Sequence, residues 1–405
     1  MPGDDSTAAV QSCIVGGGPA GMMLGLLLAR AGVRVLVLEK HADFLRDFRG
    51  DTIHPSTLEV MHELGLLEAL LRLPHDEVRE LILADFTHLP THCRFLAFMP
   101  QWDFLDFLAR EGDRYETFRR LMSTEVTGLL EERGAIVGVR AKGAGGTLEI
   151  RADLVVGADG RHSVIREHAG LRGEDLGAPM DVFWFRLSRS ANDPGQTFGR
   201  IDPGRIFVTI NRGTYFQCGY VIAKGTAEEI RRRGLDAFRE DVARLLPYLR
   251  NRVSEIRAWD DVKLLTVVVD RLSRWYRPGL LCIGDAAHAM SPIGGVGINL
   301  AIQDAVATAN RLAFPLRERR VTPGDLHDVQ RRRELPTRVT QSLQLFLQRR
   351  VISRVLGSQA PVRTPFIVRL LDRAPRLRRI PARLVGIGIR PEHVQLGSLP
   401  GISVH

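Results

Sequence analysis

Cysteine is scarce: the 405 residues hold four, at 13, 93, 218 and 282, and no two stand in a C-x-x-C pair. That excludes a disulfide framework and a zinc ribbon, and no metal site is expected. Cys13 and Cys282 fall in apolar runs, where a free thiol acts as a small hydrophobe. The expected setting is reducing, hence cytoplasmic. No apolar run reaches the ~20 residues needed to cross a bilayer, so no integral membrane segment is expected. The opening MPGDDSTAAV is acidic and rich in small residues, which reads as a short lead-in and not a signal peptide. Lysine is nearly missing: four of the 56 cations are Lys and 52 are Arg, against 47 acids, for a net charge of +9. The arginines are spread along the chain with no aromatic-interleaved basic strip, so dispersed surface charge is expected and no nucleic-acid partner. Internal repeats and low-complexity linkers are also lacking. What remains, 44% hydrophobic and 25% charged, describes a globular chain long enough for two or three domains.

What is present is concentrated first in residues 11–40, QSCIVGGGPAGMMLGLLLARAGVRVLVLEK. Residues 12–15 suit a buried parallel strand. Gly16, Gly18 and Gly21 then fall on G-x-G-x-x-G: the first permits a tight turn, the second lets backbone approach a pyrophosphate, and the third allows close helix–strand packing. A helix is predicted from Pro19 to Ala31, capped by Gly32, and a second strand from Val33 to Leu38. The strand ends at Glu39, 18 residues beyond Gly21, where an acid can accept hydrogen bonds from ribose hydroxyls. A phosphate on the helix N-terminus would meet free N–H groups and the positive end of the helix dipole. Strand, glycines, helix, strand and acid in this order predict a dinucleotide-binding βαβ unit, without separating FAD from NAD.

Two more strand tips repeat the pattern. The apolar strand 154–156 leads to GADGRHSVIR, with Asp159 at its C-terminal edge, and the strand 279–283 leads to GDAAHAMSPIGGVGIN, with Asp285 in the same position. A glycine cradle then precedes a long helix, again a positive helix end. Between these signals, Pro55-Ser56-Thr57 with Glu59 predicts a helix start. Residues 74–99 read as a strand-like excursion, Gln101 opens an amphipathic helix, and 121–155 form a β-meander. Residues 181–270, with 78–99, are expected to make one antiparallel sheet that includes a strand over 262–270. The Arg- and Leu-rich tail is expected to be helical and to cover the domain interface, the alternative being a membrane or partner surface.

The three motifs together resemble the FAD-dependent aromatic hydroxylases, the single-component flavoprotein monooxygenases related to para-hydroxybenzoate hydroxylase. The resemblance covers roughly residues 10–345. It implies an α/β fold: a glutathione-reductase-like, Rossmann-type FAD domain (10–75, 100–180 and 271–345), an inserted antiparallel β-sheet substrate domain (76–99 and 181–270) and a helical C-terminal segment (346–405). By this resemblance Gly16, Gly18, Pro19, Ala20 and Gly21 take the pyrophosphate, and Glu39 with Lys40 the adenosine side. Arg49 and Gln101 match polar positions that touch FAD, and Asp159 with Gly160 lies near the pyrophosphate, linked to both FAD and NAD(P)H use. Gly284 and Asp285 meet the ribityl chain, while Pro292, Gly295, Gly297, Ile298 and Asn299 border the flavin ring. The implied reaction consumes NADPH or NADH and O2, and hydroxylates or epoxidises an aromatic, polyketide-like or other electron-rich small molecule through a flavin C4a-hydroperoxide. The Trp-x-Trp-x-Ile-Pro segment of flavin-dependent halogenases does not occur, so halogenation is not expected, and neither a thioredoxin-like C-terminal domain nor a second Rossmann unit is expected. A monomer or homodimer is expected.

On the substrate side, His54 is a candidate to bond substrate or deprotonate a phenol, with an ordinary pKa of about 6.5; the competing role is a helix-start residue bonded to backbone. Phe183, Phe185, Phe216 and Tyr220 are candidate pocket residues, with core packing as the alternative. His288, beside Asp285, reads as structural. Two other functions stay open: a flavin reductase or dehydrogenase without oxygen insertion, and a non-catalytic carrier resembling GDP-dissociation inhibitors.

Overall fold

The glycine-punctuated strands and apolar helices assemble, in a computed structural model, into two compact units. The structure describes residues 9–45, 52–81, 83–193, 198–358 and 366–396. One unit comprises Met1–Leu176, Val269–Thr340 and Leu370–His405; the other comprises Gly177–Val268 and Gln341–Arg369.

The first unit is built on an eight-stranded sheet whose main path runs Tyr276–Arg277, Leu280–Cys282, Gly146–Gly157, Ala9–Val15, Val35–Leu38, Phe118–Leu121. From Leu280–Cys282 to Phe118–Leu121 the pairing is parallel. Ala9–Val15, Val35–Leu38 and Leu280–Cys282 read as near-continuous apolar runs because both faces are covered. Gly146–Gly157 serves twice: its first half closes the antiparallel meander with Ala135–Gly143, and its second half joins the parallel sheet. The predicted first helix runs Pro19–Arg30 and is buried along almost its whole length. It packs on the helices Val296–Arg317 and Gln101–Gly112, so a helix with two apolar faces is what this position demands. Small residues set the approach: a Cβ on Gly284 would stand 3.1 Å from the Ala20 methyl and 3.3 Å from that of Ala301.

Residues 76–99 do not join the other unit's sheet. Asp76–Val78 and Thr52–Ile53 flank Leu96–Phe98 in a three-stranded sheet of the first unit, and Glu80–Leu81 pairs with Ala84–Asp85. The expected single sheet is thereby corrected: alternation marks a strand but does not name its partner.

In the second unit five antiparallel strands stand in the order Phe198–Asp202, Arg205–Asn211, Tyr215–Ala223, Met180–Ser188, Lys263–Leu265. The helix Leu235–Leu245 places Phe238 among Phe183, Phe185 and Tyr220, with ring centroids 5.5–5.9 Å apart. Phe216 belongs to the same buried cluster. These four aromatics lie in the helix-side core, the packing role that stood as the alternative to a pocket. The strand expected over 262–270 is two short ones. Lys263–Leu265 pairs in this sheet, whereas Asp270–Leu272 pairs with Gly173–Asp175 in the first unit.

Candidate functional site

Four parallel strands of the first unit end in register: Leu38 lies opposite Val15, Val15 opposite Gly157, and Gly157 opposite Cys282. With strands ~4.8 Å apart, the tips span roughly 14 Å along one edge of the sheet. From this row emerge Glu39, the Gly16–Gly18 turn, Asp159 and Asp285. Ligands bind to open α/β sheets beyond the carboxyl ends of the strands.

Each glycine of the first turn has a separate cause. Gly16 sits at φ +106°, and a Cβ there would lie 2.4 Å from the Ala158 carbonyl oxygen. On Gly21 a Cβ would fall 2.0 Å from the Gly16 carbonyl oxygen. Gly18 differs, since a Cβ would meet no protein atom within 4 Å. Its neighbourhood is open backbone at the start of a helix that has no side-chain cap among the described residues. Uncapped amides beside open space suit an anionic group, and a dinucleotide pyrophosphate fits them. Pro19 and Ala20 form the first turn of that helix.

Glu39 is held by backbone: the Gly17 N–H donates to Oε2 at 2.9 Å and the His41 N–H to Oε1 at 3.1 Å. A carboxylate accepts about four hydrogen bonds, so this anchoring is compatible with sugar hydroxyls. Lys40 follows in an exposed bend. The Asp159 carboxylate folds its own loop, accepting from Ser163 Oγ at 2.5 Å and from the Ile165 N–H at 3.2 Å. Burial raises its pKa and outweighs those hydrogen bonds. Gly160 follows at φ +87°. Asp285 lies 3.8 Å from Arg161 Nη2, so the second and third motifs meet through an ion pair.

The third motif is tied to residues 52–57. Asn299 donates to the carbonyls of Thr52 and Gly295 at 3.1 and 3.2 Å, and its Oδ1 accepts from the His54 N–H and Thr57 Oγ1, each at 2.8 Å. Gly295, left-handed at φ +61°, opens the Val296–Arg317 helix without a side-chain cap. Gly297 and Ile298 lie in its first turn, and Pro292 is exposed just before it. Gln101 is the first residue of its helix, directly after the N-cap Pro100. Arg49 lies outside the described residues.

His54 is fully buried as the N-cap residue of the helix Pro55–Glu63. Its Nδ1 is 2.7 Å from the Val385 carbonyl oxygen and donates to it; Nε2 meets no partner at full hydrogen-bond geometry among the described residues. Burial lowers its pKa to about 4, although the Val385 and Gly294 carbonyls favour the charged ring. The ordinary value expected from sequence is thus corrected, and the ring is neutral at pH 7.

One part of the site escaped the sequence entirely. Asp304, on the buried face of the Val296–Arg317 helix, is 0% exposed. Its Oδ2 accepts from the Gly284 N–H at 3.0 Å and from His288 Nε2 at 2.6 Å, and its Oδ1 accepts from Arg333 Nε at 2.9 Å. Arg333 reaches on to Glu392 at 3.3 Å. Burial alone would raise the Asp304 carboxyl, but His288 and Arg333 hold it below the usual carboxylate range. The network fixes the amide at the base of the Asp285 loop, and it gives His288 the structural role expected. A polar residue at a buried helical position, 16 residues past a histidine, was the available signal.

The remaining features are quickly placed. All four cysteines are free and buried, and burial pushes the Cys13 thiol up to about 12. Among the described residues no group of His, Cys, Asp or Glu could hold a metal ion, and no helix is long and apolar enough to cross a membrane.

Comparison with known proteins agrees with this geometry. Residues 9–342 match the family described as FAD binding domain. The chain is 34% identical over 383 residues to 6-methylpretetramide 4-monooxygenase of Streptomyces rimosus, covering 92% of this chain and 91% of that one. It is 24% identical over 332 residues to para-nitrophenol 4-monooxygenase of a Pseudomonas strain, covering 74% and 76%. Among solved structures, Pseudomonas aeruginosa PqsL with 2-aminobenzoylacetate superposes with a TM-score of 0.72 at 22% identity, over 86% of this chain and 98% of that one. The anhydrotetracycline hydroxylase OxyS of Streptomyces rimosus gives 0.73 at 21%, over 94% and 76%. At that identity the two structures speak for the fold alone. The row of strand tips, the uncapped helix start and a family match over most of the chain lead to one conclusion: the protein belongs to the FAD binding domain family and is an FAD-dependent monooxygenase.

Proposed function

We propose that the protein uses NADPH or NADH and O2 to place one oxygen atom on an electron-rich ring of a polycyclic, polyketide-like aromatic, in the cytoplasm. The observation that carries the reading is the in-register row that brings Glu39, the Gly16–Gly18 turn, Asp159 and Asp285 to one sheet edge. The substrate class is supported by the relative named for 6-methylpretetramide, which aligns over 92% of this chain.

FAD, when bound, supplies the reduction and oxygen-transfer chemistry, and the protein supplies binding, orientation and electrostatics. Gly16, Gly18, Pro19, Ala20 and Gly21 would receive the pyrophosphate on the first helix's N-terminus. Glu39, with Lys40 beside it, would take the adenosine ribose, and Gly284 and Asp285 the ribityl hydroxyls. Pro292, Gly295, Gly297, Ile298 and Asn299 would border the ring, with Gln101 and Arg49 as further contacts. Asp159 acts by fixing the Gly160–Ser163 turn. His54 is buried and neutral, with Nδ1 on the Val385 carbonyl, and a pKa of about 4 makes it a weak base at neutral pH.

The reading is tested by screening FAD-loaded protein for substrate-stimulated NAD(P)H oxidation while hydrogen peroxide is counted. A polycyclic phenol that raises the rate, with product formed in step with NAD(P)H consumed, is the expected result. Stimulation only by small single-ring phenols would overturn the substrate class. Product formed without O2 uptake would favour a dehydrogenase.

A further inference from the structure

The helix Arg379–Gly386 and the turn Pro375–Arg378 before it present an arrangement the oxygenation chemistry does not use. Leu377, Ile380 and Leu384 recur at i, i+3 and i+7 and are 37%, 60% and 39% exposed. One position before each stands an exposed arginine, at 376, 379 and 383, so a basic stripe runs beside the apolar one about 100° away around the axis. Residues 369–390 hold seven arginines and one acid. Arg379 lies near Asp85, which it helps to hold below its ordinary pKa. Arg376 and Arg383 make no ion pair among the described residues.

The opposite side of the helix is firmly seated. Ala382 is buried, and a Cβ on Gly386 would lie 2.8 Å from Leu89 and 3.2 Å from Phe86. The Val385 carbonyl accepts from His54. The two stripes are therefore held outward on a fixed support and need no local folding to be displayed.

We propose that this face docks the enzyme on the surface of an anionic phospholipid bilayer. An apolar stripe with flanking arginines matches a helix lying in the interfacial plane, its aliphatic side chains at the acyl boundary and its guanidiniums on lipid phosphates. Charge selects the occupant: seven arginines against one acid over residues 369–390 attract phosphate-bearing surfaces. The proposal is independent of the oxygenation reading.

The test is co-sedimentation of the full-length, FAD-loaded protein with vesicles of phosphatidylcholine mixed with phosphatidylglycerol, and with vesicles of phosphatidylcholine alone. The expected result is binding to the mixed vesicles, weakened by salt, and little binding to the neutral ones. Arg376→Gln and Arg383→Gln each weaken it about fivefold, the effect of one basic charge near an anionic surface. Ile380→Ser weakens it roughly tenfold or more through lost apolar burial. All three residues are exposed, so unchanged circular dichroism and FAD content confirm that the fold is intact. Three results overturn the proposal: wild-type protein that stays in the supernatant with the mixed vesicles, binding indifferent to all three substitutions, or an Ile380→Ser protein that turns from dimer to monomer without vesicles. The last would give the face to a second copy of the chain.

Discussion

Asp304→Asn removes the charge at the centre of the buried network while nearly keeping the shape. In the native protein the carboxylate accepts from the Gly284 amide, His288 Nε2 and Arg333 Nε at 3.0, 2.6 and 2.9 Å, with no solvent exposure. An asparagine has one acceptor oxygen for three donors, and its NH2 group points another donor at one of them. Arg333, 1% exposed, keeps only Glu392 as a charged partner. Removing one member of a buried pair costs about 3–5 kcal/mol, because the other charge stays buried. At roughly 2–4 °C per kcal/mol, the thermal midpoint falls by about 10 °C. FAD affinity falls with it, by roughly tenfold, because the Gly284 amide below Asp285 loses its acceptor. Differential scanning fluorimetry of FAD-free protein and a flavin-fluorescence titration read the two effects separately. Glu149→Gln, which removes an exposed partner of Arg140, leaves both unchanged. A wild-type midpoint in Asp304→Asn would refute the argument that this carboxylate is a buried, charge-paired anchor.

His54 makes stability depend on pH. Its folded pKa of about 4 lies below the unfolded value of 6.5, so the unfolded chain binds the proton first as pH falls. The contribution is complete above pH 6.5 and is lost toward pH 4, a loss of about 3 kcal/mol. Urea unfolding at neutral and mildly acid pH should show it, and His54→Phe should flatten that component; equal slopes in the two proteins would count against it. The two glycines should separate fold from ligand. Gly21→Ala, which forces a Cβ to 2.0 Å from the Gly16 oxygen, destabilises by about 1–3 kcal/mol. Gly18→Val leaves the midpoint nearly unchanged but weakens FAD binding roughly tenfold or more, since its side chain would fill space needed by the pyrophosphate. Glu39→Gln should lower FAD affinity by roughly tenfold, the loss of charge-assisted hydrogen bonds to a ribose, and equilibrium dialysis would show whether it does.

The parts legible in the sequence are those whose cause is local. A strand that must turn within two residues and open a helix needs glycine at Gly16 and Gly21, and an acid at each strand tip marks where the sheet ends. That is why the βαβ unit and the polar tips at Glu39, Asp159 and Asp285 were readable, with helix ends off by a residue at most: Pro19–Arg30 against 19–31. What failed were particular pairings and environments set by distant partners. Alternation identified Phe183, Phe185, Phe216 and Tyr220 as one face of a sheet, but a period of two cannot say which face a helix will cover. Residues 76–99 read as strands, yet their partner was Thr52–Ile53 and not the larger sheet. Asp304 joins His288, Arg333 and Glu392 through contacts 16 to 59 residues apart, and a polar residue on an apolar helix face does not by itself name such partners. His54 shows the same limit: its position at a helix start was local, but its depressed pKa came from burial beside Val385, 331 residues away.

Oxygen insertion is tested most directly by mass spectrometry of the product made under isotope-labelled dioxygen, with NADPH or NADH as reductant. The expected product carries a single oxygen atom from the gas and none from water. An unlabelled or merely desaturated product, or NAD(P)H oxidation that ends wholly as hydrogen peroxide with every aromatic substrate tried, would contradict it.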